Sequence, residues 1–383
     1  MKFFKGPATF ARFAVAGPRV RDFGESHLER LRELAGRSAV GWAGGVHCKD
    51  TEFTLEKNVY PDHLAFDFWE QVAKLPPDRL KAYYEIDLKA LCRHNPSGLP
   101  SARQKREAKA SSRDRLEQEA KDGRYLTWRL VPVLWDAVRG EVLFGSTSAG
   151  AAERFAALFA ETFRADLTQA PSLGEGLTPL SAGRLALRFD GDARHSQLST
   201  FVKGVTPDAP AWCAADGDLD FLGNEWLLWL WHASTECDTL TLKDGTTATY
   251  MLSGGLRLDC PRGETGDDTI NAESGARTPE AREALKTGKL PRKAAMTLVR
   301  NGDQFAFKID AESLSVTAAK LPKPDGDAVG RAAEEHRLGV LRDLSETLDL
   351  LFQRFLDVRL SSDWAGELAD IQGWIKRGAK VRS

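Results

Sequence analysis

The chain has 383 residues, 42% of them apolar and 28% charged, with a formal net charge of −2. That length exceeds one ordinary domain, so two or three folded units are expected, each able to bury a core without covalent staples. The five cysteines (Cys48, Cys92, Cys213, Cys237 and Cys260) are scattered, odd in number and never spaced as CxxC, which argues against a disulfide framework or a zinc ribbon and suits a reducing cytoplasm. Arg12, Arg19 and two prolines interrupt any signal-peptide core, and the most apolar run, Trp226 to Trp231, is too short to cross a bilayer. No membrane segment is expected.

Residues Phe3 to Val15 read as a strand, and Leu28, Leu31 and Leu34 recur at helical spacing between Asp22 and Leu34. The Gly-rich stretch Val40 to Thr54 is expected to loop into a hairpin. Leu64, Phe66 and Phe68 alternate with Ala65, Asp67 and Trp69, the period of a half-buried strand. Pro76-Pro77 opens a helix that runs to about Cys92, and Asn95 to Gly98 is a turn. A second helix, Ser101 to Lys121, ends at Gly123. Strands Tyr125 to Asp136 and Glu141 to Ser146 flank a turn at Ala137 to Gly140, with Pro132 implying an edge or a bulge, and the helix Ala149 to Phe163 packs back on them.

Gln169 to Gly183, rich in Pro, Gly and Ser, is the first boundary. Strand-like runs at Arg184 to Asp190 and Thr239 to Leu258 then surround the apolar helix Leu222 to Ala233, whose tryptophans read as core, and Pro261 to Ala276 is an exposed loop. Thr278 caps a helix with Pro279 in its first position. Lys293 to Val299, Gln304 to Asp310 and Ser313 to Ala319 form a meander, and Pro322 to Gly326 is a linker. A long helix carries Leu338, Leu341, Leu344, Leu348, Leu351, Phe352 and Phe355 on one stripe, and a segment around Trp374 closes the chain. The pattern is that of an α+β protein with mixed or antiparallel sheets, helices on one face and a long C-terminal amphipathic helix. The expected units are 1–170, carrying the basic helix, 171–277, and 278–383.

Charge is what singles out one region. From Ser101 to Arg129 nine Lys or Arg face five acids, so the segment is net +4 while the rest of the chain sums to −6. The helix inside it holds only one large apolar residue, Leu116, and a helix polar all round is either solvated or bound to something other than a protein core. Its i,i+4 pairs, Arg103 to Glu107, Arg113 to Glu117 and Arg115 to Glu119, place the base before the acid, the weaker order, and a solvated charged face is the plain alternative. Phosphate contact needs only positive charge on reachable stems. Arg103, Lys105, Arg106, Lys109, Arg113, Arg115, Lys121 and Arg124 meet that need, and Lys289, Arg292, Lys293, Lys376, Arg377, Lys380 and Arg382 could extend the surface. No base-reading motif accompanies them.

The basic helix, the strand ending in Leu134-Trp135-Asp136, the turn at Gly140 and the Ala-rich helix after it resemble the recombination-associated protein RdgC family. The segment Glu283-Ala284-Leu285-Lys286-Thr287-Gly288-Lys289, with Lys293 opening a meander before a Leu-rich helix, is similar to that family's late region. Phe4-Lys5 and Gly41-Trp42 also fit. The resemblance implies a ring-shaped homodimer around double-stranded DNA, sequence-independent binding, restraint of recombinase filaments and a place on the nucleoid in the cytoplasm. It further implies that Tyr125 stands where the family's ring-closing aromatic does. The region Thr206 to Ala276 departs from the family pattern.

Two rivals are weighed against this. Pro61-Asp62 with Asp87-Leu88-Lys89 spells a PD…DxK nuclease, in which carboxylates hold Mg²⁺ and a lysine supports the attacking water, although Asp87 and Lys89 fall in an expected helix. A scaffold that docks an acidic partner on the basic helix is the other. Cys48 beside His47 and Cys92 near His94 have irregular spacing for zinc. No catalytic residue, metal or cofactor is expected.

Overall fold

In a computed structural model of the chain, the described residues are 2–383 apart from 17–19, 38, 94, 96–97, 168–175, 214–217, 236, 264–265, 272–277, 324–328 and 378–383. Lys380, Arg382 and His94 therefore lie outside the described residues, as do parts of the expected turn at 95–98, the boundary at 169–183 and the linker at 322–326. The protein is mixed α and β. In the first part of the chain β1 (Ala8–Val15) is followed by α1 (Glu25–Glu33), β2 (Val40–Ala43), α2 (Leu55–Asn58), β3 (Val59–Tyr60), β4 (His63–Ala73), α3 (Pro77–Cys92) and α4 (Ala102–Ala120). Then come β5 (Leu126–Asp136), β6 (Glu141–Phe144), α5 (Ala149–Leu167), β7 (Leu177–Pro179), α6 (Ala182–Phe189) and α7 (Phe221–Ala233). The last part holds β8 (Thr239–Thr241), β9 (Thr247–Asp259), β10 (Asp268–Ile270), α8 (Pro279–Lys286), β11 (Leu290–Arg300), β12 (Asp303–Asp310), β13 (Val316–Lys320), α9 (Arg331–Arg359) and α10 (Trp364–Arg377).

Every strand pair is antiparallel, and the main path of the sheet is β10-β9-β11-β12-β13-β1-β6-β5-β4-β2. β1 is the join. Its first residues, Ala8 and Phe10, pair with β13, whereas Ala11 to Ala14 pair with β6. Two hydrophobic cores follow from that split. In the first, α1 and α5 cover one face of the β1-β6-β5-β4-β2 half, and its packing is aromatic: Phe144 stacks on Phe155 with centroids 4.3 Å apart, and Trp42, Phe68 and Trp135 meet neighbouring rings edge-on.

The second core is organised by α7, of which Phe221 to His232 are all buried. It packs on the meander and on α9, with Trp226 against Phe352 and Trp229 against Phe355, so the WLLWLW run is core as its apolar neighbours require. α9 also reaches the first half. Ala65, Leu134 and Leu143, on the face of the sheet opposite α5, belong to the same core as Leu338 to Leu356. Helices therefore cover both faces of that half, not one. The alternation along β4 is accordingly between two cores, since every residue from His63 to Glu70 is buried.

Four other expectations give way. Arg184 to Asp190 is largely helical: Ala182, Leu185 and Ala186 are buried at helical spacing, and Ser181 caps the helix by accepting from the Arg184 N–H. Pro261 to Ala276 contributes a strand, β10, to the edge of β9. Residues 171–277 and 278–383 share one ladder, β9 on β11, and one core, so no unit boundary falls between them. The strand expected from Phe3 begins only at Ala8, after a 3-10 turn.

The polar side of α9 is clamped to the first half by buried ions. Arg12, 1% exposed, donates to Glu141 at 2.5 Å and to Asp349 at 2.7 Å, and Arg139 joins the same two carboxylates. Burial alone would lower the Arg12 pKa, but Asp349 and Glu141 outweigh it and raise it. Beside this group Arg342 donates to Asp136 at 2.5 Å and to Asp62 at 3.1 Å. No helix among the described residues is long and apolar enough to cross a membrane.

Candidate nucleic-acid interface

β6 ends at Phe144 and the pairing of β2 ends at Glu70, yet β4 and β5 continue together to Ala73 and Leu126. This two-stranded ribbon carries α3 and α4, an antiparallel helical hairpin whose packing is mainly internal. α4 starts where it does because Ser101 and Gln104 cap each other: Ser101 Oγ accepts from the Gln104 N–H at 3.2 Å, and Gln104 Oε1 accepts from the Ser101 N–H at 2.9 Å. It stops before Gly123, which sits at φ +84° and can adopt that conformation without strain.

Only Ala108, Ser112 and Leu116 of α4 are buried, at i, i+4 and i+8, which lets α3 approach closely. Polar ties do the rest. Arg115 bonds Asp87 at 2.8 Å, Gln104 donates to the Leu91 carbonyl at 2.9 Å, and Tyr83 donates to Glu119. Tyr125 also donates to Glu119, at 3.0 Å, while accepting from Arg79 at 2.7 Å. The two tyrosine hydroxyls hold the Glu119 carboxyl below its usual pKa. Tyr125 is thus engaged at the root of the hairpin.

The remaining cations point outward. Arg103, Arg106, Lys109 and Arg113 follow one another at steps of three, three and four residues, so they form one stripe, with Lys105 beside it. All are exposed. Arg103, Lys105, Arg106, Lys109 and Lys121 make no ion pair with any described residue; Arg113 pairs with Glu117 at 2.7 Å, and Arg124 folds back on Asp122. Of the i,i+4 pairs expected on this helix, Arg115 instead crosses to α3 and Glu119 serves the tyrosines. Between Lys74 and Arg129 fourteen Lys or Arg stand against eight Asp or Glu, a surplus of six in a chain that is −2 overall.

The later basic residues have a different fate. Lys289 bonds Asp268 at 2.7 Å and the Gly266 carbonyl at 2.9 Å, and Lys293 pairs with Asp310 at 3.2 Å. Arg292 bonds Asp259 at 3.0 Å and Glu312 at 2.8 Å while its guanidinium lies 4.6 Å from the Trp212 ring centroid. Their charge is spent within the protein, so they do not extend the free stripe. Lys376 and Arg377 are exposed in the last turn of α10, on the second core.

Asp62 and Asp87 are each committed to a different arginine on a different element, Arg342 of α9 and Arg115 of α4, while Lys89 is exposed on α3. Among the described residues no group of three or more His, Cys, Asp or Glu could hold a metal ion.

Two further residues join the ribbon outside the basic run: Trp128, 51% exposed on β5, and Lys49, whose ammonium lies 4.7 Å from the centre of that ring. Alternation places Leu126, Trp128 and Leu130 on one face of the strand and was legible; nothing in the sequence puts Lys49 beside them. No protein-family model matches the chain, and no curated protein matches it.

Proposed function

We propose that this chain is a non-catalytic, sequence-independent binder of double-stranded DNA. The stripe Arg103, Arg106, Lys109 and Arg113 supports the reading. It is exposed, its first three members have no carboxylate partner among the described residues, and it rides on a hairpin raised from the sheet by a two-stranded ribbon. Over ten residues the stripe covers about 15 Å of helix, enough to meet several phosphates along a strand. Binding releases counterions and reads no base edges. As the family resemblance implies, two copies close a ring around the duplex, which turns modest affinity into topological retention and obstructs recombinase filaments and strand exchange.

The test is the salt dependence of binding to several unrelated duplexes, with solution mass measured in parallel. Binding that falls linearly in log–log form, equally for all sequences, agrees with the reading. No shift at low salt, or affinity confined to one sequence, overturns it. Retention on closed-circular DNA equal to that on linear DNA removes the ring.

A further inference from the structure

β5 has two edges, and only one is filled along its whole length. Toward β4 it pairs from Leu126 to Asp136, but toward β6 it pairs only from Val133 to Asp136, after which the Gly145 N–H closes on the Pro132 carbonyl at 2.8 Å. Main-chain parity identifies the groups left over. Because the Lys74 N–H donates to the Tyr125 carbonyl, odd-numbered residues of β5 turn toward β4 and even-numbered ones turn away. The Leu126 N–H is used by the Gly123 carbonyl, at 3.2 Å. The N–H and C=O groups of Trp128 and Leu130 remain, and no described residue pairs with them.

The side chains beside this edge are as unusual as its backbone. Of the ten tryptophans only Trp128 is exposed, and Leu126 next to it on the same face is 48% exposed. Lys49 stands over Trp128 on that face. On the opposite face Arg129 and Arg154 share one fully buried carboxylate, Glu70, at 2.7 and 2.8 Å, which leaves one positive charge in excess. Both sides of the edge are therefore electropositive.

We propose that the free edge of β5 takes an extended acidic peptide of a partner protein as an added strand. Main-chain pairing satisfies Trp128 and Leu130, an apolar side chain covers Trp128 and Leu126, and carboxylates at alternate positions meet Lys49 on one face or Arg129 and Arg154 on the other. A nucleic acid offers no ladder of N–H and C=O groups to the edge. A second copy of the chain would bring the same cations against these, like against like. The site is distinct from the stripe on α4.

The experiment measures binding of a fluorescent octapeptide in which Asp alternates with Phe or Leu, with Lys replacing Asp in a second probe, to the 383-residue chain. The acidic probe binds and the lysine probe is at least about tenfold weaker. Leu130→Pro deletes an outward N–H without touching the β4 ladder and weakens the acidic probe about tenfold, whereas Leu130→Ala, which keeps the N–H, stays within about threefold. Lys49→Glu, at an exposed site with no folding liability, weakens it as well. No binding to the unaltered protein, or full binding by both Leu130→Pro and Lys49→Glu, overturns the proposal. So does a mass that doubles with concentration and is halved by Leu130→Pro, which assigns the edge to a second copy. Loss of duplex binding in Leu130→Pro also overturns it, because the edge then serves DNA. Reversing the α4 stripe leaves peptide binding unchanged, so this proposal and the DNA reading fail separately.

Discussion

Two basic groups in this protein look alike on paper and differ in the fold. Arg103, Arg106 and Lys109 stand on a hairpin that packs mainly on itself, and no described carboxylate reaches them. Lys289, Arg292 and Lys293 stand at the start of β11, where neighbouring strands and loops bring Asp268, Asp259, Glu312 and Asp310 to them. A cation on an isolated hairpin keeps its charge for a partner, whereas one inside a packed sheet spends it on folding. The first group is therefore expected to govern binding and the second to govern stability.

The sharpest way to break that contrast is Arg106→Glu, Lys109→Glu and Arg113→Glu together. Duplex affinity falls about a hundredfold and the log–log salt slope drops by about three, while stability changes by less than about 1 kcal/mol, the share of the exposed Arg113–Glu117 pair. A loss of folding, or an unchanged slope, would erase the distinction. Arg292→Ala should do the opposite. Burial already pushes the Glu312 carboxyl up, and removing its guanidinium partner costs about 2–3 kcal/mol in urea unfolding while the DNA salt slope is unaltered.

A third test uses acid. Burial would raise the Asp136 carboxyl, but hydrogen bonds from His63, Arg342 and the Arg139 N–H outweigh it and hold its pKa at about 2. A carboxyl whose folded pKa is depressed contributes stability above its unfolded pKa, near 4, and loses it as pH falls toward 2. About 2 kcal/mol should disappear over that window, read from urea midpoints at pH 5 and pH 2.5, and Arg342→Met should shrink the loss. The smallest effect is expected for Lys293→Ala, whose exposed pair with Asp310 is worth less than about 0.5 kcal/mol. A larger value would show that the meander cations are bound more tightly than their exposure suggests.

Much of the local structure was legible. The Thr278 cap, the period of α9, the Asn301-Gly302 turn with both residues at positive φ, and the uniformly apolar α7 all declare themselves within a few residues. Arg184 to Asp190 reads as a strand because its Leu and Phe spacing is short enough to suit either period, and the Ser181 cap is the signal that decides for a helix. Arg12 was visible only as an interruption of an apolar segment, although it is, with Glu141, fully buried in the α9 clamp.

By itself the sequence determined the long helices and most of the strands, where positive charge concentrates, and that one helix lacks an apolar face. These are local properties, set by capping, periodicity and composition over a turn or two. Tertiary structure alone decided which cations are neutralised and which strand edge stays open. Those outcomes depend on residues far apart in the chain, as when Asp349 reaches Arg12 or β6 ends before it can cover Trp128. Coulomb pairing and ladder closure act through space, and no spacing along the chain encodes them.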